Sequence, residues 1–260
     1  MSHPLFDLSG RRALVTGGAA GIGFAVAEAL CACEVAVAIA DISDCSIQAA
    51  EVGAVPIEMD VSSEASVRNG FTEAVQALGG TLDLVVLNAG VGDVGPTLEE
   101  SEQALIEKVT RINQLGVLYG LKHAPALMND GGSIVATASM AAHITVPGNG
   151  VYAATKRAVT SLVETAAMEL GDRGIRVNDI CPGYTDTAMG SGDEGRQICE
   201  AFTALGRMAN VQDLVGVYLF LAADASRYLT GQSIKVDGGW DCGPTSRLLE
   251  LVTGSTVAPG

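Results

Sequence analysis

Short apolar runs alternate with longer stretches of helical hydrophobic spacing along most of the 260 residues. Runs at 12–16, 35–41, 54–60, 82–88, 133–139, 176–181 and 233–237 predict seven strands. Several are apolar at every position rather than at alternate ones, the pattern of parallel strands covered on both faces. Between them, periodicity predicts helices over 21–33, 63–78, 102–128, 151–173 and 212–222. Strand–helix alternation in this order builds right-handed βαβ units. The expected fold is therefore α/β: a Rossmann-type, doubly wound, seven-stranded parallel sheet with helices on both faces, in one domain over 1–260. The segment 183–205 opens rich in Gly, Ser and Thr and is read as a substrate loop after the sixth strand. A C-terminal extension, 241–260, follows the last strand and holds one short apolar segment at 248–252.

Composition narrows the partners. With 48% hydrophobic and 17% charged residues, one large core is available, and the balance is the opposite of a disordered chain. No apolar run approaches the roughly 18–20 residues a membrane span needs. The first ten residues lack the basic-then-apolar pattern of a secretion signal, which points to the cytoplasm. A net charge of −15 argues against nucleic acid and anionic membrane surfaces. The six cysteines form no Cys-x-x-Cys pair and no zinc-like spacing with histidine, so reduced thiols and no metal are expected.

Directly after the first strand, Thr16-Gly17-Gly18-Ala19-Ala20-Gly21-Ile22-Gly23 opens a helix. Glycines there permit a tight turn and a close backbone approach to a pyrophosphate, while the helix end offers unpaired N–H groups. A glycine cluster alone is also compatible with a plain strand–helix turn. Asp41 ends the second strand at the spacing of a ribose-binding acid, and no Lys or Arg lies in the glycine turn or at Ile42 and Ser43. A carboxylate there accepts from ribose hydroxyls and repels a 2′-phosphate, which favours NAD over NADP; the alternative is a helix cap or turn Asp. Asp60-Val61 and Asn88-Ala89-Gly90 close the third and fourth strands, where they suit the adenine side or ordinary turn chemistry.

Tyr152 and Lys156 stand four apart at the start of a predicted helix and so share a face. A tyrosine titrates near pH 10, and a neighbouring ammonium draws it towards the working range. Ser139 ends the fifth strand, and Asn113 is a polar residue inside a long apolar-faced helix. With these residues in place, the chain resembles the short-chain dehydrogenase/reductase family over 12–240. The resemblance is carried by 16–23, Asp60, Asn88-Ala89-Gly90, Asn113, Ser139, Tyr152-Ala153-Ala154-Thr155-Lys156, Pro182-Gly183 and the run Gly-Gln-Ser-Ile-Lys-Val-Asp-Gly-Gly at 231–239, in family order.

The resemblance implies a role for each. Tyr152 is the general acid in reduction and base in oxidation; Lys156 bonds the nicotinamide ribose and lowers the Tyr152 pKa; Ser139 orients the substrate oxygen. Asn113 resembles the residue that anchors a water linking Lys156 to solvent. Pro182, Gly183 and either Thr185 or Thr187 resemble the segment that meets the nicotinamide carboxamide. A homotetramer formed through the helices near Glu102 and Val151 and the last strand is likewise implied. The family often ends soon after residue 239, so 241–260 is expected either to cap the substrate cleft of its own or a neighbouring subunit or to be a disordered or surface-packed end.

The expected pocket walls include His143, Tyr184, Met189 and Trp240, with no Lys or Arg before Arg196. A carboxylate or phosphate substrate calls for such a partner, so a neutral ketone, secondary alcohol, polyol or steroid-like molecule is expected. A 3-oxoacyl-carrier-protein reductase needs a basic landing surface, and Arg173 alone in so acidic a chain argues against it. A nucleotide-sensing scaffold without turnover is the alternative from another class, disfavoured because Asn113, Ser139, Tyr152 and Lys156 are all present. Epimerase or dehydratase chemistry is disfavoured by the lack of a large C-terminal substrate domain.

Overall fold

Seven strands line up in the order β3-β2-β1-β4-β5-β6-β7, every neighbouring pair parallel. They are β1 (Arg12–Thr16), β2 (Ala36–Asp41), β3 (Val55–Glu58), β4 (Leu82–Leu87), β5 (Met128–Thr137), β6 (Arg176–Pro182) and β7 (Ser233–Val236). This computed structural model describes residues 3–92, 95–190 and 192–255. The expected Rossmann-type sheet is present, with strand limits moved by a few residues.

Strand residues divide strictly by parity between two cores. Leu14, Val85, Ile134 and Val177 face one layer, where Phe71 of α3 (Glu64–Ala77) and Val159 and Val163 of α6 (Gly150–Leu170) pack. Ala13, Val15, Val86 and Ile180 face the other, with Val26 and Leu30 of α1 (Gly21–Ala32) and Leu214 and Tyr218 of α8 (Gln212–Ala222). A parallel sheet needs both covers because each strand is apolar on both sides. Among the described residues, no helix is long and apolar enough to cross a membrane.

Three helices escape the sequence pattern. α2 (Ser46–Val52) is seven residues long and buries only Ala49, too short to show a period. The expected loop at 183–205 contains α7 (Asp193–Phe202), whose Gly-Asp-Glu-Gly opening reads as a turn yet sets two acids at the helix start. In the C-terminal extension, Thr245 caps α9 (Ser246–Thr253), and Arg247 donates to the carbonyls of Glu200, Thr203 and Ala204, which ties the extension to the end of α7. Residues 256–260 of that extension lie outside the described residues.

The helix expected over 102–128 is broken into α4 (Gln103–Val109), a π-helical turn (Thr110–Leu115) and α5 (Gly116–His123), then a 3-10 turn at Pro125–Leu127 leading straight into β5. The π turn carries Asn113, whose side chain closes on the backbone of Val91: Oδ1 accepts from its N–H at 2.8 Å and Nδ2 donates to its carbonyl at 2.9 Å. Widened turns of this type accumulate at functional sites.

Candidate active site

The strand order reverses between β1 and β4, and ligands of open α/β sheets bind outside the strand ends at such a point. A cleft of about 440 Å³ opens there. Its lining runs from Gly17, Gly21, Ile22 and Asp41, past Asn88, Ala89 and Gly90, to Ser139, Tyr152, Lys156, Pro182, Gly183, Thr185 and Thr187, and reaches Tyr184, Met189 and Trp240. Residues distant in sequence are thus gathered on one rim.

At one end the backbone leaves no room for side chains. Gly17 adopts φ +65°, and a Cβ on it would stand 2.8 Å from Ala89 Cα. Gly23 does not line the cleft; a Cβ there would meet the Gly17 carbonyl oxygen at 2.1 Å, so its part is to let α1 press on the turn. No side chain caps α1, and its first residues Gly21 and Ile22 line the cleft, so the helix opens there with its first N–H groups uncapped by any side chain. An anion fits this cradle. Asp41 lies beside it, with Oδ2 accepting from Ala19 N–H and Oδ1 from the Ser43 N–H and hydroxyl.

Asn88 braces the turn by donating to the Thr16 and Gly17 carbonyls, and accepts from Thr137 Oγ1, which in turn meets the buried Tyr218 hydroxyl at 2.7 Å. Thr16 Oγ1 accepts from the N–H groups of Asn88 and Ala89. Thr16 opens the glycine-turn run, but Thr137 and Tyr218 carry no signal in the sequence, because their partners lie on other strands or layers.

Asp60 and Val61 sit away from the cleft lining. Asp60 Oδ1 accepts from Ser62 N–H, and Val61 packs where a Cβ of Gly116 would fall. Gly90 stands at the catalytic end rather than on the adenine side: a Cβ there would be 3.2 Å from Asn113 Oδ1 and 3.5 Å from Lys156 Nζ. The glycine therefore leaves a methyl-sized gap between amide and ammonium. Gly90→Ala, which fills it, should lower kcat about tenfold through misplacement of Lys156 while Tm moves little; unchanged turnover would show that the gap has no use.

Lys156 is buried, and its Nζ donates to the Thr137 carbonyl at 2.7 Å, 5.7 Å from the Tyr152 ring centre. Burial lowers Lys156 to about 8, with the fields of Cys181 and Asp179 opposing. Burial also raises Tyr152 above its ordinary value, against a hydrogen bond with Ser139 that lowers it. The expected lowering of Tyr152 by Lys156 is thus not what governs the phenol here: enclosure dominates, and the ammonium is directed at a carbonyl. Ser139 also accepts from Ala141 N–H, which fixes its rotamer.

Of the expected substrate contacts, Tyr184 and Met189 line the cleft, as does Trp240, stacked on Tyr184 with ring centres 5.5 Å apart. His143 does not. Its ring turns from the cleft, and Nε2 meets Cys181 Sγ at 3.4 Å. Thr185 is buried and bonded to the Gly183 carbonyl, whereas Thr187 reaches over α1, its Cγ2 3.5 Å from where a Gly21 Cβ would stand. Arg196 pairs with Asp186 outside the lining. All six cysteines are free; Cys45, Cys181 and Cys199 are buried and Cys242 is exposed.

A glycine turn under a helix end, at the reversal of a parallel sheet, with an acid beside it and a Ser, Tyr and Lys at the far end of one cleft, defines a dinucleotide-binding oxidoreductase fold. A family model described as enoyl-(acyl carrier protein) reductase matches residues 17–241. L-2,3-butanediol dehydrogenase of Corynebacterium glutamicum is 36% identical over 252 residues, covering 87% of this chain and 97% of that one. A short-chain type dehydrogenase/reductase from Mycobacterium marinum superposes with TM-score 0.87 at 36% identity, over 92% of this chain and 98% of that chain. A blue fluorescent protein from a metagenomic library, solved with NADPH, gives TM-score 0.85 at 33% identity, over 90% and 99%. The chain belongs to the short-chain dehydrogenase/reductase family.

Proposed function

We propose that the chain moves a hydride between NAD(H) and a neutral secondary alcohol or ketone, polyol or steroid-like compound, with Tyr152 as general acid and base. The observation that carries this reading is the meeting of Ser139, Tyr152 and Lys156 in the cleft that also holds the glycine turn and Asp41. When bound, the nicotinamide supplies the hydride. Gly17, Gly21 and Ile22 hold the pyrophosphate, Asp41 the adenosine ribose, and Pro182, Gly183 and Thr187 the carboxamide. Asn88 and Ala89, which line the cleft, serve the adenosine half, and Asp60 and Val61 stand outside that lining.

Ser139 holds the substrate oxygen. In reduction, the Tyr152 hydroxyl gives that oxygen its proton, and Lys156 steadies the phenolate that remains. Asn113, set against Lys156 across Gly90, anchors the water through which the proton is replaced. A phenol raised by burial suits the donor role, since it stays protonated across neutral pH.

The lining supports a neutral substrate, because among the described residues Asp41 and Lys156 are its only charged side chains. The diol in the name of the Corynebacterium relative is in line with it. A carrier-protein partner, as the family description names, finds little purchase: Arg173 spends its donors on Asp130 and the carbonyls of Pro125 and Met128. The reading includes a cytoplasmic homotetramer; Ile106, Leu118 and Met168 leave apolar surface on α4, α5 and α6 for it. A screen of NADH and NADPH oxidation against vicinal diketones, cyclic ketones and keto sugars tests the whole. Turnover of a neutral ketone with NADH is the expected result, and no turnover of any of them overturns it.

A further inference from the structure

Among the described residues, three charged side chains are buried: Lys156, Arg176 and Asp179. Arg176 and Asp179 both belong to β6, but they point to opposite faces of the sheet. Arg176 shares a face with Asn178 and Ile180 and donates to Ser226 Oγ and the Ala223 carbonyl, on the α8 side. Asp179 shares the other face with Val177 and Cys181, under α6. Lys156 descends from α6 onto the same face. Its Nζ bonds the carbonyl of Thr137, and Thr137 is the register partner of Ile180, the residue between Asp179 and Cys181. The ammonium of Lys156 is therefore held on the strand next to β6, at the register level of the residue that follows Asp179, and among the described residues these two are the buried charges of this layer.

An aspartate with no solvent exposure in mid-strand is costly unless it is hydrogen-bonded and matched by charge. Asp179 has donors at both oxygens: Cys181 Sγ at 3.2 Å to Oδ1 and Ser233 Oγ at 2.7 Å to Oδ2. That arrangement suits an ionised carboxylate, which only accepts. Beyond it, His143 closes on the Cys181 thiol. We infer that Asp179 is a positioning residue of the active site, the buried counter-charge that keeps Lys156 an ammonium and so sets the alkaline limit of activity. The inference rests on the reading of Lys156 given above, and it accounts for His143, Cys181 and Ser233, none of which the hydride-transfer roles use.

Other groups face the pair. On α6 they are Tyr152 and, at the surface, Glu164; from the π turn comes Asn113; from the turn after β5 comes His143. On β7, Lys235 is beside Cys181 in register but is exposed and ion-paired with Asp241. Burial raises Asp179, opposed by Ser233, Cys181 and His143, while the Asp179 field raises Lys156 against its own burial. Removing the carboxylate charge takes away one of the two influences, those of Cys181 and Asp179, that oppose burial at Lys156, so it loses its proton at lower pH.

The test uses Asp179→Asn, which keeps shape and most hydrogen bonding. With NADH and diacetyl, kcat/KM for reduction should fall on the alkaline side near pH 8 in the parent chain, the value of Lys156, and about one pH unit lower in the variant. Ser233→Ala, which removes one carboxylate donor at the sheet edge, should shift the limb the same way by less. A lysine lost from solution at about 10.4 but in the native state near 8 makes the unfolded chain bind more protons between those values. Urea stability, taken relative to Lys156→Met, should therefore rise with pH from about 8 upward, and from about one unit lower when Asp179→Asn is added to both chains. This second arm needs no substrate. Failure to reduce diacetyl removes only the choice of substrate, whereas identical stability profiles with and without Asp179, or an unmoved alkaline limb, overturn the role given to Asp179.

Discussion

Tyr152→Phe is expected to lower kcat for ketone reduction by about three orders of magnitude, the scale of a lost general acid. The substitution removes one oxygen and keeps the ring, so packing at the head of α6 survives. Lys156 keeps its bond to the Thr137 carbonyl, and the glycine turn, Asn88 and Asp41 are untouched. NADH affinity, read from fluorescence, should accordingly change by less than about twofold, which separates a chemical loss from a binding one. A variant that keeps about a tenth of the parent turnover would place the proton donor elsewhere. The same pair of measurements distinguishes an enzyme from a nucleotide-sensing scaffold, for which the phenol would be dispensable.

The second large effect concerns the end of β2. Asp41→Ala should cut kcat/KM with NADH by about 10- to 100-fold, the scale of a lost hydrogen bond to a charged group, and raise it with NADPH. On the proposed reading the carboxylate accepts from ribose hydroxyls, and no cation among Ile42, Ser43 and the glycine turn offsets its repulsion of a 2′-phosphate. A relative of 33% identity was solved with NADPH, so replacing Asp41 is a direct test of the choice between the two nucleotides. Asp41 also accepts from Ala19 and Ser43, so its loss loosens the turn as well. Asp41→Asn keeps acceptors there without the charge. It should retain Tm and still lose preference, which isolates repulsion from geometry. A parent chain equally active with NADPH would overturn the assignment.

Much of the site was legible because its residues occupy fixed points of a repeating unit. Gly17, Asp41 and Asn88 stand at the ends of β1, β2 and β4, neighbours in the sheet, and strand ends in a parallel sheet meet on one rim whatever the details of packing. Tyr152 and Lys156 are one helical turn apart, so their shared face follows from helix geometry alone. What failed to show was short or non-local. α2 and α7 are too brief or too glycine-rich at their openings to set a period. The π turn at Asn113 arises from a side chain that reaches Val91, 22 residues back, an interaction with no local pattern.

His143 shows the limit in a single residue. Its place in the chain, four after Ser139, puts it near the cleft, but the direction of its ring was decided by the thiol of Cys181 on the neighbouring strand. The protonation balance was decided in the same way. Spacing gives the Tyr152–Lys156 pair; it does not give the depth at which α6 buries them, and it is depth that raises one and lowers the other. The amino-acid order by itself determined the sheet and the rim on which the candidate groups meet, since these rest on periodicity and nearest neighbours. Their solvation, their orientation and the charge of Asp179 beneath them were settled only when distant strands and helices packed, because desolvation and field depend on what lies across space rather than along the chain.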